Sequence, residues 1–220
     1  MPAVRANTTP AFTELGTPLL AGFFARPAPE VARDLLGKTV VRRVDGVLTA
    51  GRIVEAEAYL GSDDPGSHAA TRGITERNRV MYGAPGVAYV YFTYGMHHML
   101  NLVTESDGTA GAVLVRAIEP TAGRDTMIVR RDGHDGRDLT DGPGKVAAAL
   151  GLDLSDNGTA LGEGRLAVLD APAHQEDVVV SGRVGLTEGH ESPLRFYLEG
   201  SAHSRGRTGP PRRSTRRGKG

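Results

Sequence analysis

Three of the six tyrosines in this 220-residue chain fall in the run Tyr89-Val90-Tyr91-Phe92-Thr93-Tyr94, in a protein with no tryptophan and only 5% aromatic residues. Alternation puts Tyr89, Tyr91 and Thr93 on one face of a strand and Val90, Phe92 and Tyr94 on the other. Gly95 permits a bend, and the run from Met96 through His97, His98, Met99, Leu100, Asn101 and Leu102 to Val103 reads as the returning strand. An aromatic-sided hairpin in mid-chain commits the fold to a sheet. Such a side either packs a sheet core or stacks on flat rings, unpaired nucleic-acid bases included. The hairpin alone leaves both readings open.

The rest of the composition agrees with a sheet-containing fold. Thirty glycines and 13 prolines supply many turns, and 39% hydrophobic residues over this length suffice for one domain with a core. No run of ~18 apolar residues is present, so no membrane span is expected. The first residues lack a basic segment, a long apolar run and a small-residue cleavage site, so export is not expected. With no cysteine, disulfides, thiolate catalysis, iron–sulfur clusters and cysteine zinc sites are excluded. A reducing cytoplasm is compatible with that. The formal charge of zero hides an asymmetry: seven of the 26 basic side chains lie in residues 201–220, which hold no acid, leaving 19 against all 26 acidic ones before them, a net −7. The tail, with Arg205, Arg207, Arg212, Arg213, Arg216, Arg217 and Lys219, has a composition that builds no core. It reads either as a polyanion contact or as a solubilising extension.

Residues 1–17 read as a flexible lead, 18–202 as one folded domain and 203–220 as a disordered tail. Within the domain, residues 27–36 carry an apolar stripe (Val31, Leu35, Leu36) and predict a helix closed by Gly37. Residues 38–43 and 47–59 alternate as strands around an Asp45-Gly46 turn. Residues 61–86 form a polar, Gly-rich connection, 112–118 a strand, 121–131 and 144–150 helices, and 165–169, 178–184 and 194–198 further strands. The expectation is a single α+β domain: a curved, mostly antiparallel sheet, surrounding helices and a protruding β-hairpin.

Several residues could carry chemistry. On the strand Arg52-Ile53-Val54-Glu55-Ala56-Glu57-Ala58-Tyr59 the two glutamates share a face, which ordinarily means a solvated side. Their i, i+2 spacing, ~6.5–7 Å along one strand, does not suit a carboxylate pair flanking a glycosidic bond. Arg116 interrupts the apolar strand of residues 112–118 and is costly there unless it meets a carboxylate or an anion. One of the strand glutamates is the natural partner, and the pair would serve either structure or a base. His97-His98 points to opposite faces and there is no HExxH pattern, so no metal is expected. Gly142-Pro143-Gly144-Lys145 lacks the glycine and hydroxyl of a phosphate loop, since Leu139 and Val146 stand at those places; it reads as a turn into a helix N-terminus.

In order along the chain, Arg52–Tyr59, the His68 loop, Thr75-Glu76-Arg77-Asn78, Tyr89–Met96, Asn101, Leu114–Pro120, Gly142–Lys145 and Leu194–Tyr197 resemble the alkyladenine (3-methyladenine) DNA glycosylases, mammalian-type enzymes also found in bacteria. The likeness runs from about Leu19 to Gly200. It implies an enzyme of base-excision repair that extrudes alkylated or deaminated purines from double-stranded DNA and hydrolyses the N-glycosidic bond. By that resemblance Glu57 is the general base and Arg116 holds it and the water, with a backbone carbonyl near Val184 as a third water ligand. Tyr59, His68 and Tyr91 form the base pocket with Asn101 at its border, and Tyr94 fills the gap in the duplex. Val90 and Phe92 keep a packing role, while Tyr89 is left between core and pocket. Arg72, Arg77, Arg79 and Lys145 are candidate phosphate contacts. No cofactor or metal is implied, a monomer suffices, and the location is cytoplasmic, at the nucleoid in a bacterium. None of the three lysines, Lys38, Lys145 and Lys219, sits in a motif as a nucleophile, which implies water rather than a Schiff base. Two other readings are a binder of damaged DNA that does not excise and a carbohydrate hydrolase.

Overall fold

The computed structural model describes residues 12, 15–67, 69–70, 73–93, 95–162 and 164–204. Strands β1 (Thr39–Val44) and β2 (Val47–Tyr59) form a hairpin, followed by β3 (Ala88–Thr93), β4 (His97–Val103), β5 (Ala112–Ala122), β6 (Leu166–Leu169), β7 (Val178–Ser181) and β8 (Arg195–Leu198). They make one eight-stranded curled sheet, ordered β3-β4-β5-β2-β1-β6, with β8 joining β2 and β7 joining β8. Every pairing among the described strands is antiparallel. The long strand β2 organises the rest: β5 runs along one edge, while β1 and then β8 share the other. The expected α+β domain with a mostly antiparallel sheet is what forms.

Period-two patterning sends each strand's residues to two different environments. On one face Val54, Ala56, Ala58, Val90, Leu100, Leu102, Val113, Val115 and Ala117 form the main core. It is closed by α2 (Ala28–Asp34) and by α4 (Pro143–Leu150). The first buries Ala28, Val31 and Ala32, and the second Val146, Ala147, Ala149 and Leu150. Pro29 and Glu30 at the start of α2 and Arg33 in its last turn fit the helix's end preferences. Two short helices, α1 (Ala21–Phe24) and α3 (Arg124–Arg130), complete the helical side. The opposite face carries Glu55, Glu57, Tyr59, Tyr89, Tyr91, Asn101, Ala112 and Arg116, and there Tyr89, Val103 and Ala112 join a smaller apolar cluster with Met81 and Ala69. The helices stabilise the fold from one side and leave the other for chemistry.

The tyrosine hairpin projects beyond the sheet. β3 and β4 pair from Ala88↔Leu102 out to Thr93↔His97, but β4 meets β5 only at Asn101, Leu102 and Val103. The turn includes Gly95 at φ 68°, a left-handed conformation that suits glycine. Burial fades toward the tip: Val90 is 1% exposed, Phe92 42% and Met96 68%. The packing role expected of Phe92 is thereby corrected, because its face runs out of core; it lies instead against His98, ring centroids 5.0 Å apart. Tyr94 lies outside the described residues, as do His68, Arg72 and residues 205–220.

Candidate active site

Glu57 is the most enclosed acid of the second face, 0% exposed, and Glu55 beside it is 1% exposed. The solvated side that alternating glutamates ordinarily mean does not form here, because β8 pairs with this half of β2 and brings Arg195 to Glu55, and the loop after β7 brings the Val184 N–H to Glu57. Among the described residues, every hydrogen-bond partner of the Glu57 carboxylate is a donor. Oε1 accepts the Val184 N–H at 2.8 Å, and Oε2 accepts the Tyr59 hydroxyl at 3.0 Å and Arg116 Nη1 at 3.2 Å. A carboxylate so placed is oriented, and acceptor capacity remains on it for a water. The Val184 contact to the carboxylate is made by its N–H.

Arg116 reaches this place through a local irregularity. The β2–β5 register runs Ile53↔Ile118, Glu55↔Ala117, Ala56↔Val115, so it skips Val54 on one strand and Arg116 on the other. Such paired bulges re-aim a side chain without displacing the rest of the ladder. Arg116 answers both glutamates: Nε donates to Glu55 Oε1 at 2.8 Å and Nη1 to Glu57. Burial works against the guanidinium charge, and Glu57 and Glu55 more than offset it, holding its pKa above the usual value.

Beside Tyr59, a hydrogen-bond partner of the acid, lies a cavity walled by Tyr59, Tyr89, Tyr91, Met81 and Leu186, with Asn101, Ala112 and Gly66 completing it. Its aromatic walls suit stacking on a flat heteroaromatic ring. Tyr89 and Tyr91 stand 5.2 Å apart at 40°. Tyr89, 1% exposed, belongs to both core and wall, and burial pushes its phenol up to about 12. Burial, then the Glu57 charge, raises the Tyr59 phenol well above its usual value, so it stays protonated as a donor. Asn101 is buried and donates Nδ2 to the Tyr89 carbonyl at 3.2 Å, tying the cavity's border to its wall. Of the expected pocket residues, Tyr59, Tyr91 and Asn101 converge here. His68 falls outside the described residues, between Ser67 and Ala69.

Reading the sequence missed a clamp behind Tyr59. Arg183 donates to both Asp64 oxygens (2.6 and 2.5 Å), to the Ala58 carbonyl and to the Gly189 carbonyl, and lies 4.7 Å from the Tyr59 ring centroid. It therefore fixes one cavity wall and the chain leading to Val184. The signal was present in Asp64-Pro65-Gly66, whose aspartate accepts the Gly66 N–H as an Asx turn does. Burial alone would raise the Asp64 carboxyl, but hydrogen bonds from Arg183, Leu60 N–H and Gly66 N–H outweigh it and hold it below its usual value of 3.8. A depressed folded-state value stabilises the protein above the unfolded-state value, and that contribution is lost as pH falls through the folded one. Asp64→Asn is thus expected to cost about 3–5 kcal/mol at pH 7, the usual cost of breaking a buried ion pair. In denaturant unfolding the gap from wild type should narrow as the pH drops below about 4. A gap that stays constant with pH would contradict the assignment.

The candidate phosphate contacts are placed differently from one another. Arg77 is exposed, lies 4.8 Å from the Tyr91 ring centroid and donates to the Phe92 carbonyl at 3.0 Å, at the hairpin's outer edge. Arg79 is exposed at the start of a 3-10 turn, Arg79–Tyr82. Lys145, in the first turn of α4, is ion-paired with Asp138 and with Asp141 at 2.8 Å. Among the described residues there is no cluster of three or more metal-ligating side chains, and no helix is long and apolar enough to cross a membrane.

Comparison with known proteins agrees with this geometry. The family model described as Methylpurine-DNA glycosylase (MPG) matches residues 22–202. A protein of Chlorobaculum parvum is 47% identical over 196 residues, covering 88% of this chain and 93% of the relative. One of Methanoculleus marisnigri is 49% identical over 190 residues, covering 84% and 97%. Both carry the name "Putative 3-methyladenine DNA glycosylase". The match spans the sheet, both cavity walls and the Glu57–Arg116 pair, and on that extent and identity the chain belongs to the methylpurine-DNA glycosylase family and is a DNA glycosylase.

Proposed function

We propose that the protein extrudes an alkylated or deaminated purine from double-stranded DNA into the Tyr59–Tyr91 cavity and hydrolyses its N-glycosidic bond with a water activated by Glu57. The observation that carries this reading is a buried, donor-oriented carboxylate hydrogen-bonded to Tyr59, which is itself a wall of an aromatic-lined cavity. The water oxygen attacks C1′, its proton passes to Glu57, and the electron pair of the C1′–N bond leaves with the purine. An abasic site remains. Purines alkylated to a cationic form depart as neutral bases; hypoxanthine needs a proton or a hydrogen bond on leaving, for which His68 is the candidate.

Extrusion costs a few kcal/mol, least for damaged or mispaired bases. Tyr94 fills the vacancy, and base–aromatic stacking returns roughly 1–3 kcal/mol per contact. Arg72, Arg77 and Arg79 contact the backbone, with Lys145 once it leaves its aspartates, and the Arg-rich tail adds nonspecific attraction in a body that is net acidic. One site per chain makes a monomer sufficient, and the protein acts in the cytoplasm where the DNA lies. Water rather than an amine is the nucleophile: Lys38 and Lys145, the two described lysines, are paired with aspartates and do not line the cavity.

The test is excision from duplex oligonucleotides carrying 3-methyladenine, 7-methylguanine, hypoxanthine or ethenoadenine, with borohydride present in parallel. Release of free base from at least one lesion, an intact abasic strand and no trapped protein–DNA adduct are expected. A trapped adduct would overturn the water mechanism, and binding without release on all four lesions would leave a damage-binding module.

A further inference from the structure

We infer that Glu55 is a positioning residue: it fixes the Arg116 guanidinium against Glu57, with Arg195 as its own counter-charge. The inference rests on Glu57 acting as the base, as proposed above. Glu55 Oε1 receives Nε–H bonds from two arginines at once, Arg116 at 2.8 Å and Arg195 at 2.8 Å. The three side chains are nearly sealed, at 2% exposure for Glu55, 0% for Arg195 and 11% for Arg116. Arg195 stands on β8 directly across from Glu57, yet it spends its Nε–H on Glu55. It is steadied there by the Tyr197 ring, 4.8 Å away, and by a long contact to Ser181 Oγ on β7.

The geometry explains why a second acid is needed. Arg116 rises from a bulge, where the ladder constrains it least, and an arginine side chain has four torsions to fix. Its bond to Glu57 is the longer of its two, 3.2 Å against 2.8 Å to Glu55. One contact at Nη1 leaves the guanidinium plane free to swing; a second at Nε fixes it. A misplacement of ~1 Å at a reacting centre costs on the order of 10²-fold in rate. Among the described residues, Glu55, Tyr59, the Val184 N–H, Arg116, Arg183 and Arg195 stand around Glu57. Of these, Arg116 and Arg195 bond Glu55.

The competing account is that Glu55 only neutralises two buried arginines. Glu55→Gln alone does not separate the two, since it leaves an excess of buried positive charge and can unfold the protein. Glu55→Gln/Arg195→Gln removes one charge of each sign. Single-turnover excision, lesion-duplex Kd and melting temperature are to be measured on both variants, with Glu57→Gln alongside. Positioning requires the double variant to melt near wild type, to bind lesion duplex within about threefold, and still to excise on the order of 10²-fold more slowly. Recovery of the wild-type rate in the double variant overturns the inference, as does a loss that appears only in Kd. Should Glu57→Gln itself excise like wild type, the reading of Glu57 as base fails instead, and the two failures remain distinguishable.

Discussion

Glu57→Gln is expected to lower single-turnover base excision by about 10²–10⁴-fold, the usual contribution of a positioned general base. Binding of lesion-containing duplex should remain within a few-fold of wild type, because the cavity walls are other residues. The replacement is close in shape but not neutral in its contacts. The Tyr59 hydroxyl, Arg116 and the Val184 N–H all donate to Glu57, and an amide must turn its NH₂ toward one side. Facing Val184 it meets an N–H; facing the other side it can give a proton to the Tyr59 hydroxyl but loses Arg116. Either choice leaves a buried donor unmade, worth about 1–3 kcal/mol. A modest fall in stability should therefore accompany the loss of rate, and the assay belongs below the variant's melting temperature. A folded Glu57→Gln protein that excises at more than a tenth of the wild-type rate would remove Glu57 from the reaction.

How much of this was legible in the sequence depends on how local each feature is. The Asp45-Gly46 turn was readable because both residues take left-handed angles, φ 49° and 79°, which a two-residue hairpin requires and this pair tolerates. The hairpin faces were readable too, since period two sends Val90 to the core and Tyr89 and Tyr91 to the cavity. Alternation does not say where a face ends, and so Phe92 was misplaced. Nor does it say what covers a face. Glu55 and Glu57 look solvated until β8 returns about 140 positions later with Arg195. The arginine signal itself was legible: Arg116 in an apolar strand demanded a carboxylate, and it found two. Arg195, amid Leu194, Phe196 and Leu198, gives the same signal, and the same argument would have marked it. The bulge that aims Arg116 is a one-residue slip in register, which no residue pattern on either strand announces. Lys145, a candidate phosphate contact, pairs with Asp141 four residues earlier, an i, i+4 spacing visible in the sequence.

Removing Arg116 should have the other large effect, on stability as well as rate. Arg116→Met retains much of the side chain's apolar volume but leaves Glu55 and Glu57 side by side on β2, both buried, with the cation between them gone. Glu55 keeps Arg195, whereas Glu57 keeps, among the described residues, the Tyr59 hydroxyl and the Val184 N–H. Breaking a buried ion pair from one side costs about 3–5 kcal/mol, a large share of the ~5–15 kcal/mol that holds a domain folded. Excision should fall by about 10²-fold or more, since the carboxylate and its water lose the group that orients them. Adding Glu55→Gln to Arg116→Met removes one charge of each sign and separates the two effects. Denaturant unfolding of the double variant should recover most of the lost stability, while excision stays low, because nothing restores a guanidinium at Glu57. If excision instead recovers together with stability, Arg116 acts only by holding the sheet together, and the water must be held by other groups.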